Sequence, residues 1–228
     1  MRIPRSTLKI FRDIRRSRWQ FVAVAVVIAL GVAIFIGSYG SFQNLRSSYD
    51  RTYDELAMGD LWFEVADAPA AVVSDANAIE GVIAADGRLV VDLPATVPAI
   101  GEGPIQARLS TLPVDDRPAV NDVKVTRGDY FTGPGQVLLE QGFADFNDVA
   151  VGDAVQLQLA DGAMIELTVV GHAVSPEYLF VARSERDLFT PPASFGVMFV
   201  PYEDLAPALG LDERINALSL RLDPNVDA

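Results

Sequence analysis

The first strong hydropathy pattern in the chain is a continuous apolar run from Trp19 to Tyr39, which contains no charged residue. A bilayer core about 30 Å thick needs roughly 20 helical residues, whereas the apolar core of a signal peptide needs only about 7 to 15. The run has the greater length, and aromatic residues lie near its ends, as is typical of membrane interfaces. It therefore predicts a transmembrane helix over residues 19–40, anchored by Trp19, Phe21 and Tyr39.

A cleaved signal peptide is the alternative interpretation of the same run. Gly37, Ser38 and Gly40 form a weak small-residue cleavage pattern close to its end. Cleavage there predicts a released protein with a mature N-terminus near residue 40.

The segment before the run is strongly basic. Residues 1–18 hold seven lysines and arginines against the single acid Asp13, so the positive-inside rule places the N-terminus in the cytoplasm. At helical spacing the basic and apolar side chains fall on opposite faces, which predicts a cytoplasmic amphipathic helix on an anionic leaflet. Its basic face consists of Arg5, Lys9, Arg12 and Arg16. A simple topogenic charge cluster is the alternative.

The rest of the chain is acidic, with 11 basic and 30 acidic residues after residue 18. Because phosphate binding needs a basic surface, this balance argues against nucleic acid as a partner. The sequence contains no cysteine, so a folded exterior part must be stabilised by its hydrophobic core and not by disulfides.

A helical pattern continues directly beyond the apolar run. Phe42, Leu45, Tyr49, Tyr53 and Leu56 recur at spacings of three and four, which predicts an amphipathic helical stalk over residues 41–58. Gly59 is the predicted end of this helix.

After the stalk the apolar positions predict mainly short strands. The clearest signal is a hairpin over residues 155–175, in which two alternating segments flank the turn Asp161-Gly162. Further strands are expected at 61–66, 105–112, 136–140, 197–201 and 215–222, with one strand or a kinked pair at 81–93. Short helices are expected at 72–79, 143–147 and 202–210. The pattern predicts an α+β domain over residues 59–228, with a split α+β lobe from both ends and an inserted β-rich lobe at 95–172.

No constellation of catalytic residues can be assembled. His172 is the only histidine and cysteine is absent, so multi-histidine metal sites and cysteine nucleophiles are excluded. Neither G-x-S-x-G nor G-x-x-x-x-G-K-[ST] occurs, so the chain is not itself a P-loop ATPase. We expect no catalytic residue, no metal site and no cofactor, and we interpret His172 as a structural or surface residue.

The segment 175–196 is unusually aromatic for a connection. It contains Tyr178, Phe180, Phe189 and Phe195 together with two consecutive prolines. These side chains either pack onto the domain as a covering flap or form a surface for a partner subunit or an apolar substrate.

The order of these features resembles the FtsX-like, MacB-like permeases of ABC transporters. The segment GQVLLEQGFADFNDVAVGDAVQLQLADGAMIELTVVGHAVSPEYLF (135–180) is similar to that family in three elements. These are a G-x-V-x-L stretch at Gly135 to Leu139, a V-G-D turn at Val151-Gly152-Asp153, and a hairpin that ends in Val169-Val170-Gly171. None of these elements is catalytic, and the resemblance lies in their order.

The resemblance implies a MacB-like periplasmic domain in a subunit of the bacterial inner membrane. It further implies three more spans, a separate cytoplasmic ATP-binding subunit, and a second permease subunit or a homodimer. Relatives export amphiphilic substrates such as lipids or lipoproteins, or transmit ATP-driven motion. No later apolar run follows before Ala228, so we expect a fragment of a longer permease or a truncated protein. A membrane-anchored periplasmic adaptor acting alone, or a secreted hydrolase, remains the alternative.

Overall fold

The structure is a computed structural model that describes residues 18–101, 103–178 and 195–225. The chain divides into two compact units, Met1–Arg51 and Thr52–Ala228. The predicted basic face with Arg5, Lys9, Arg12 and Arg16 lies outside the described residues, and so do Phe180 and Phe189.

A single helix, α1 (Arg18–Glu55), contains the whole apolar run. Its most apolar 18-residue window has a mean hydropathy of 2.8, and within the described ranges it is the one helix long and apolar enough to cross a membrane. Trp19, Phe21 and Tyr39 are all exposed on it. An apolar surface on every side is what a helix in lipid presents.

The helix ends earlier than its sequence pattern predicts. Ala57 takes a positive φ of 50°, Met58 N–H donates to the carbonyl of Tyr53 at 2.9 Å, and Ala57 N–H donates to that of Asp54 at 3.4 Å. These are the two hydrogen bonds of a Schellman motif, which terminates a helix with a left-handed residue. Gly59 is therefore not the stop signal. A side chain there would approach Val120 at 3.1 Å, so close packing explains this glycine.

The second unit is built from short strands and helices. They are β1 (Leu61–Pro69), α2 (Val72–Asn77), β2 (Val82–Arg88), β3 (Val90–Thr96), β4 (Ile105–Leu112), β5 (Lys124–Gly128), β6 (Gln136–Glu140), α3 (Gln141–Phe146), β7 (Ala154–Gln158), β8 (Met164–Val174), a 3₁₀ turn (Pro176–Tyr178), β9 (Phe195–Pro201), α4 (Tyr202–Leu209) and β10 (Arg214–Leu222). The predicted α+β class with an N-terminal apolar helix is confirmed.

The smaller sheet joins strands from both ends of this unit. Its order is β1–β10–β2, and both pairings are antiparallel. One face is covered by α2, where Ala76 packs with Ala85, Ile215, Leu218 and Leu220.

The larger sheet has seven strands in the order β5–β8–β6–β9–β4–β3–β7, and β7 pairs again with β8. Six of the strands therefore form a closed ring of pairings. β5 lies outside this ring and pairs with the C-terminal part of β8. β9 and most of β3 lie outside residues 95–172 but belong to this sheet. The predicted limits of the two lobes stay a prediction.

Two hydrophobic clusters hold the ring. One fills the side that α3 and α4 cover, where Phe143 and Leu205 pack with strand residues such as Leu109, Leu139 and Val169. The second cluster includes Leu112, Val123, Phe131, Leu138, Ala173, Phe195, Val197 and Phe199. This core is extensive enough to stabilise a domain that has no disulfide.

Local backbone angles and hydrogen bonds explain the V-G-D turn and the hairpin turn that the sequence pattern marks. In the V-G-D turn, Gly152 has a φ of 100° and the Asp153 carboxylate accepts a 2.8 Å hydrogen bond from Ala150 N–H. In the predicted hairpin, Gly162 has a φ of 88° and Asp161 accepts from Ala163 N–H at 2.9 Å. Both turns use glycine for the left-handed backbone and aspartate for the loop hydrogen bond.

Candidate functional site

A group of buried hydrogen bonds lies where the chain leaves α1. Asn121 N–H donates to the carbonyl of Ala57 at 2.9 Å, and Asp122 N–H donates to that of Leu56 at 2.8 Å. Leu56 is buried in the domain. The segment that follows the last helical turn is therefore fixed to the loop before β5 by main-chain hydrogen bonds.

The side chain of Asn121 extends this connection. Its Oδ1 accepts a 2.7 Å hydrogen bond from Gly59 N–H, and its Nδ2 donates to Glu177 Oε1 at 2.8 Å. Asn121 is fully buried and has a φ of 55°, a left-handed conformation that asparagine tolerates better than most residues. One side chain thus joins the exit from α1 to the 3₁₀ turn.

A buried arginine completes the network. Arg88, at the end of β2, is 3% exposed and pairs with Glu177 at 3.0 Å and with Asp86 at 2.9 Å. It also donates to the carbonyls of Val120 and Asn121, each at 2.8 Å. We call Gly59, Asp86, Arg88, Asn121 and Glu177 the junction network. The Arg88 guanidinium has partners in three separate segments of the chain, and a buried charge requires such partners.

The charges of the network depend on each other. Burial disfavours the charged form of Arg88, but the carboxylates of Glu177 and Asp86 outweigh burial and raise its pKa. Burial also raises the pKa of Glu177, and Arg88 opposes part of that rise. We take Arg88 as charged, because two carboxylates surround it, and the raised pKa of Glu177 makes its carboxylate easier to protonate than that of a free glutamate.

A weaker surface contact lies beside the network. Glu55, the last residue of α1, forms a 2.7 Å ion pair with Lys124 at the start of β5. Both side chains are about half exposed, so this pair contributes about 0–1 kcal/mol to stability. The buried hydrogen bonds of Asn121 are the stronger connection.

A cleft of about 580 Å³ lies between the two sheets, next to the network. Its walls include Trp62, Glu64, Arg108, Tyr178 and Ser219. We call it the aromatic cleft. The Arg108 guanidinium is held by both oxygens of Asp92 at 2.8 and 2.9 Å, so its charge is neutralised locally.

Tyr178 forms one wall of this cleft. Its ring packs edge-on against Phe199 with centroids 6.0 Å apart, and burial raises its pKa to about 12. The assignment of Tyr178 to a partner or substrate surface stays a prediction. Phe195 is different, because it is 1% exposed within the core under the Arg108 guanidinium. Phe195 begins β9, a strand buried on both faces, so its place on an exposed surface is a wrong prediction.

His172 lies inside the larger sheet. It is fully buried on β8, and Arg127 Nη1 is 3.4 Å from its Nδ1. Burial, followed by the nearby charge of Arg127, lowers its pKa. Its Nε2 has no hydrogen-bond partner among the described residues. It packs as a neutral structural side chain and lines no cleft.

Within residues 18–101, 103–178 and 195–225, no group of three or more His, Cys, Asp or Glu side chains could hold a metal ion. The sequence pattern did not reveal the junction network. The available signals were Arg88 directly before the apolar pair Leu89-Val90 and Asn121 after the apolar pair Ala119-Val120, and both are weak without the fold.

Comparison with protein families and with curated proteins finds no match. Among solved structures, the periplasmic region of MacB from Actinobacillus actinomycetemcomitans is similar, with 12% identity, a TM-score of 0.45, and coverage of 70% of this chain and 67% of that one. The extracellular domain of the noncanonic ABC-type transporter YknZ from Gram-positive bacteria is similar too, with 14% identity, a TM-score of 0.49, and coverage of 72% and 83%. At these scores the similarity carries no conclusion about function.

Proposed function

We propose that this chain is the N-terminal portion of a permease subunit of an ABC-type transporter in a bacterial inner membrane. Residues 19–40 cross the bilayer with the N-terminus in the cytoplasm, and the acidic domain lies outside. A separate cytoplasmic ATP-binding subunit hydrolyses ATP, and a second permease subunit or a second copy completes the membrane part. The support is the order of sequence features together with α1 and the domain that follows it.

The junction network is the observation that carries this proposal. A domain attached by a flexible linker could not respond to a movement of its membrane helix. Here the exit from α1 is hydrogen-bonded through Asn121 to Glu177, and Glu177 is paired with Arg88. A shift of the segment after Glu55 therefore acts on β2 and on the 3₁₀ turn, which lines the aromatic cleft. The domain relays conformational change or handles an amphiphilic substrate in that cleft.

Co-purification tests the subunit composition. The full chain with an affinity tag is solubilised from native membranes in a mild detergent, and its partners are identified by mass spectrometry. We expect an ATP-binding subunit to co-purify with the chain in a fixed ratio, and the complex to hydrolyse ATP. Replacement of the P-loop lysine of that subunit should abolish the hydrolysis. Recovery of the chain without any ATPase contradicts the proposal.

A stand-alone membrane-anchored adaptor is the second candidate. It is favoured by the exposed apolar side chains of β1 outside the core. It predicts a periplasmic partner and no ATPase in the same purification, so one experiment separates the two functions.

A further inference from the structure

β1 is an edge strand that lacks the usual protection. It pairs with β10 on one side, and no described strand pairs with its other side. Its first residues Leu61, Trp62 and Phe63 are 38%, 49% and 45% exposed. Edge strands are usually blunted by lysine, by proline or by covering elements. β1 has no lysine, and its one proline is its last residue, Pro69.

The two faces of β1 differ in chemistry. Leu61 and Phe63 pair with Leu220 and Leu218 and share their apolar face. Trp62 and Glu64 pair with Ser219 and Ala217 and face the aromatic cleft. Alternation along a strand therefore presents an apolar row on one side and an aromatic-acidic row on the other.

The charge of this edge selects the type of partner. Asp60, Glu64 and Asp67 are its ionisable residues, and none is basic. Asp67 pairs with Arg214, and Glu64 shares the aromatic cleft with Arg108, whose ion pair is formed with Asp92 and whose pKa Glu64 helps to raise. Pairing of two copies through this edge would place both sets of carboxylates in one short ladder, which is unfavourable. A basic strand is the complementary occupant.

From this geometry we propose that the free edge of β1 binds an extended segment of a partner protein in which basic and apolar residues alternate. The segment adds a fourth strand to the small sheet through main-chain hydrogen bonds. Its basic side chains pair with Glu64 and stack on Trp62, and its apolar side chains cover Leu61 and Phe63. This surface serves a permease and an adaptor equally, so its test is independent of the proposed function.

The probe is a fluorescein-labelled nine-residue peptide of alternating lysine and valine. Its binding to the full chain in dodecyl maltoside is followed by fluorescence anisotropy at about 0.15 M salt, where unspecific attraction is screened. A second peptide carries N-methyl groups on alternate main-chain amides. Its charge is unchanged, but it lacks the N–H groups that would donate hydrogen bonds to β1. We expect saturable binding of the first peptide and binding at least about tenfold weaker for the second.

Two matched variants separate this edge from the general acidity of the domain. Glu64→Lys should weaken binding about tenfold. Glu166→Lys makes the same charge change at an exposed position of β8 and should leave binding unchanged. Circular dichroism checks that both variants fold.

Three results of the peptide assays overturn the proposal. They are equal affinity for the two peptides, equal weakening by both variants, and absence of saturable binding. Self-association of the chain that Trp62→Ser abolishes also overturns it, because the occupant would then be a second copy.

Discussion

Replacement of Asn121 tests the junction network most simply. Asn121→Gly keeps a backbone that accepts the φ of 55° but removes the side chain that joins Gly59 to Glu177. Gly59 N–H then loses its buried acceptor, and the Glu177 carboxylate loses one donor. Each loss costs about 1–3 kcal/mol, so we expect the free energy of unfolding to fall by about 2–6 kcal/mol.

A second replacement separates the side-chain contacts from the backbone. Asn121→Ala loses the same hydrogen bonds and also places a Cβ in the left-handed region, at a further cost of about 1 kcal/mol. The difference in the free energy of unfolding between the two variants should therefore measure only the cost of the left-handed backbone.

The assay is denaturant unfolding of the full chain in detergent, followed by far-UV circular dichroism. Val149→Ala serves as a control because Val149 is buried but lies outside the network. A loss below about 0.5 kcal/mol for both Asn121 variants would refute the reasoning, because that is the level of an ordinary surface change.

Three further predictions concern other local features. Ala57→Gly should raise the free energy of unfolding by about 1 kcal/mol in the same denaturation assay, because the residue already has a left-handed backbone. An unchanged free energy of unfolding would contradict the Schellman assignment. Glu140 accepts hydrogen bonds from Gly142 and Phe143 N–H, each at 2.8 Å, so Glu140→Ala should cost about 1 kcal/mol, with Glu166→Ala as the neutral comparison. His172 binds its proton more weakly in the folded than in the unfolded chain, so stability should fall as the pH drops below the unfolded value of about 6.5, by up to about 1.4 kcal/mol per pH unit. His172→Gln should remove that part of the slope between pH 7 and pH 5, and an unchanged slope would show that other groups cause it.

Elements with local causes were predictable from the sequence. The hairpin of β7 and β8 is fixed by alternation and by Asp161-Gly162, which act within about 20 residues. The strands at 105–112 and 136–140 have the bounds that the pattern predicts. The apolar run likewise marked α1, because hydropathy and length alone decide it.

Features set by distant contacts were not predictable. β5 has the sequence KVTRG, which lacks an apolar row and forms a strand because β8 offers it an edge. The sequence pattern left open whether 81–93 is one strand or a kinked pair, and only the fold shows that it divides at Leu89 and that β2 and β3 enter different sheets. The left-handed Ala57 that follows α1 is held by Asn121, whose N–H donates to the Ala57 carbonyl from 64 residues further along the chain. Long-range pairing of this kind leaves no local pattern.

The candidate site follows the same division. Tyr178 and Phe195 were both singled out because aromatic residues in a connection are unusual, and only the fold shows that Phe195 lies in the core. Arg88 and Asn121 gain their roles only when β2, the loop before β5 and the 3₁₀ turn meet. A single buried arginine becomes recognisable as a central residue only when its partners are known.

The most direct test of the central claim is a distance measurement in the complex purified from native membranes. Because the chain has no cysteine, spin labels can be placed at Glu80→Cys and Asp161→Cys, two exposed positions near the small sheet and in the hairpin turn. Pulsed electron paramagnetic resonance should show that addition of ATP changes the distance between the labels. The additional change Asn121→Gly should abolish that response while the ATPase remains bound. An unchanged distance with ATP, or the same change with and without Asn121, would contradict a relay through the junction network.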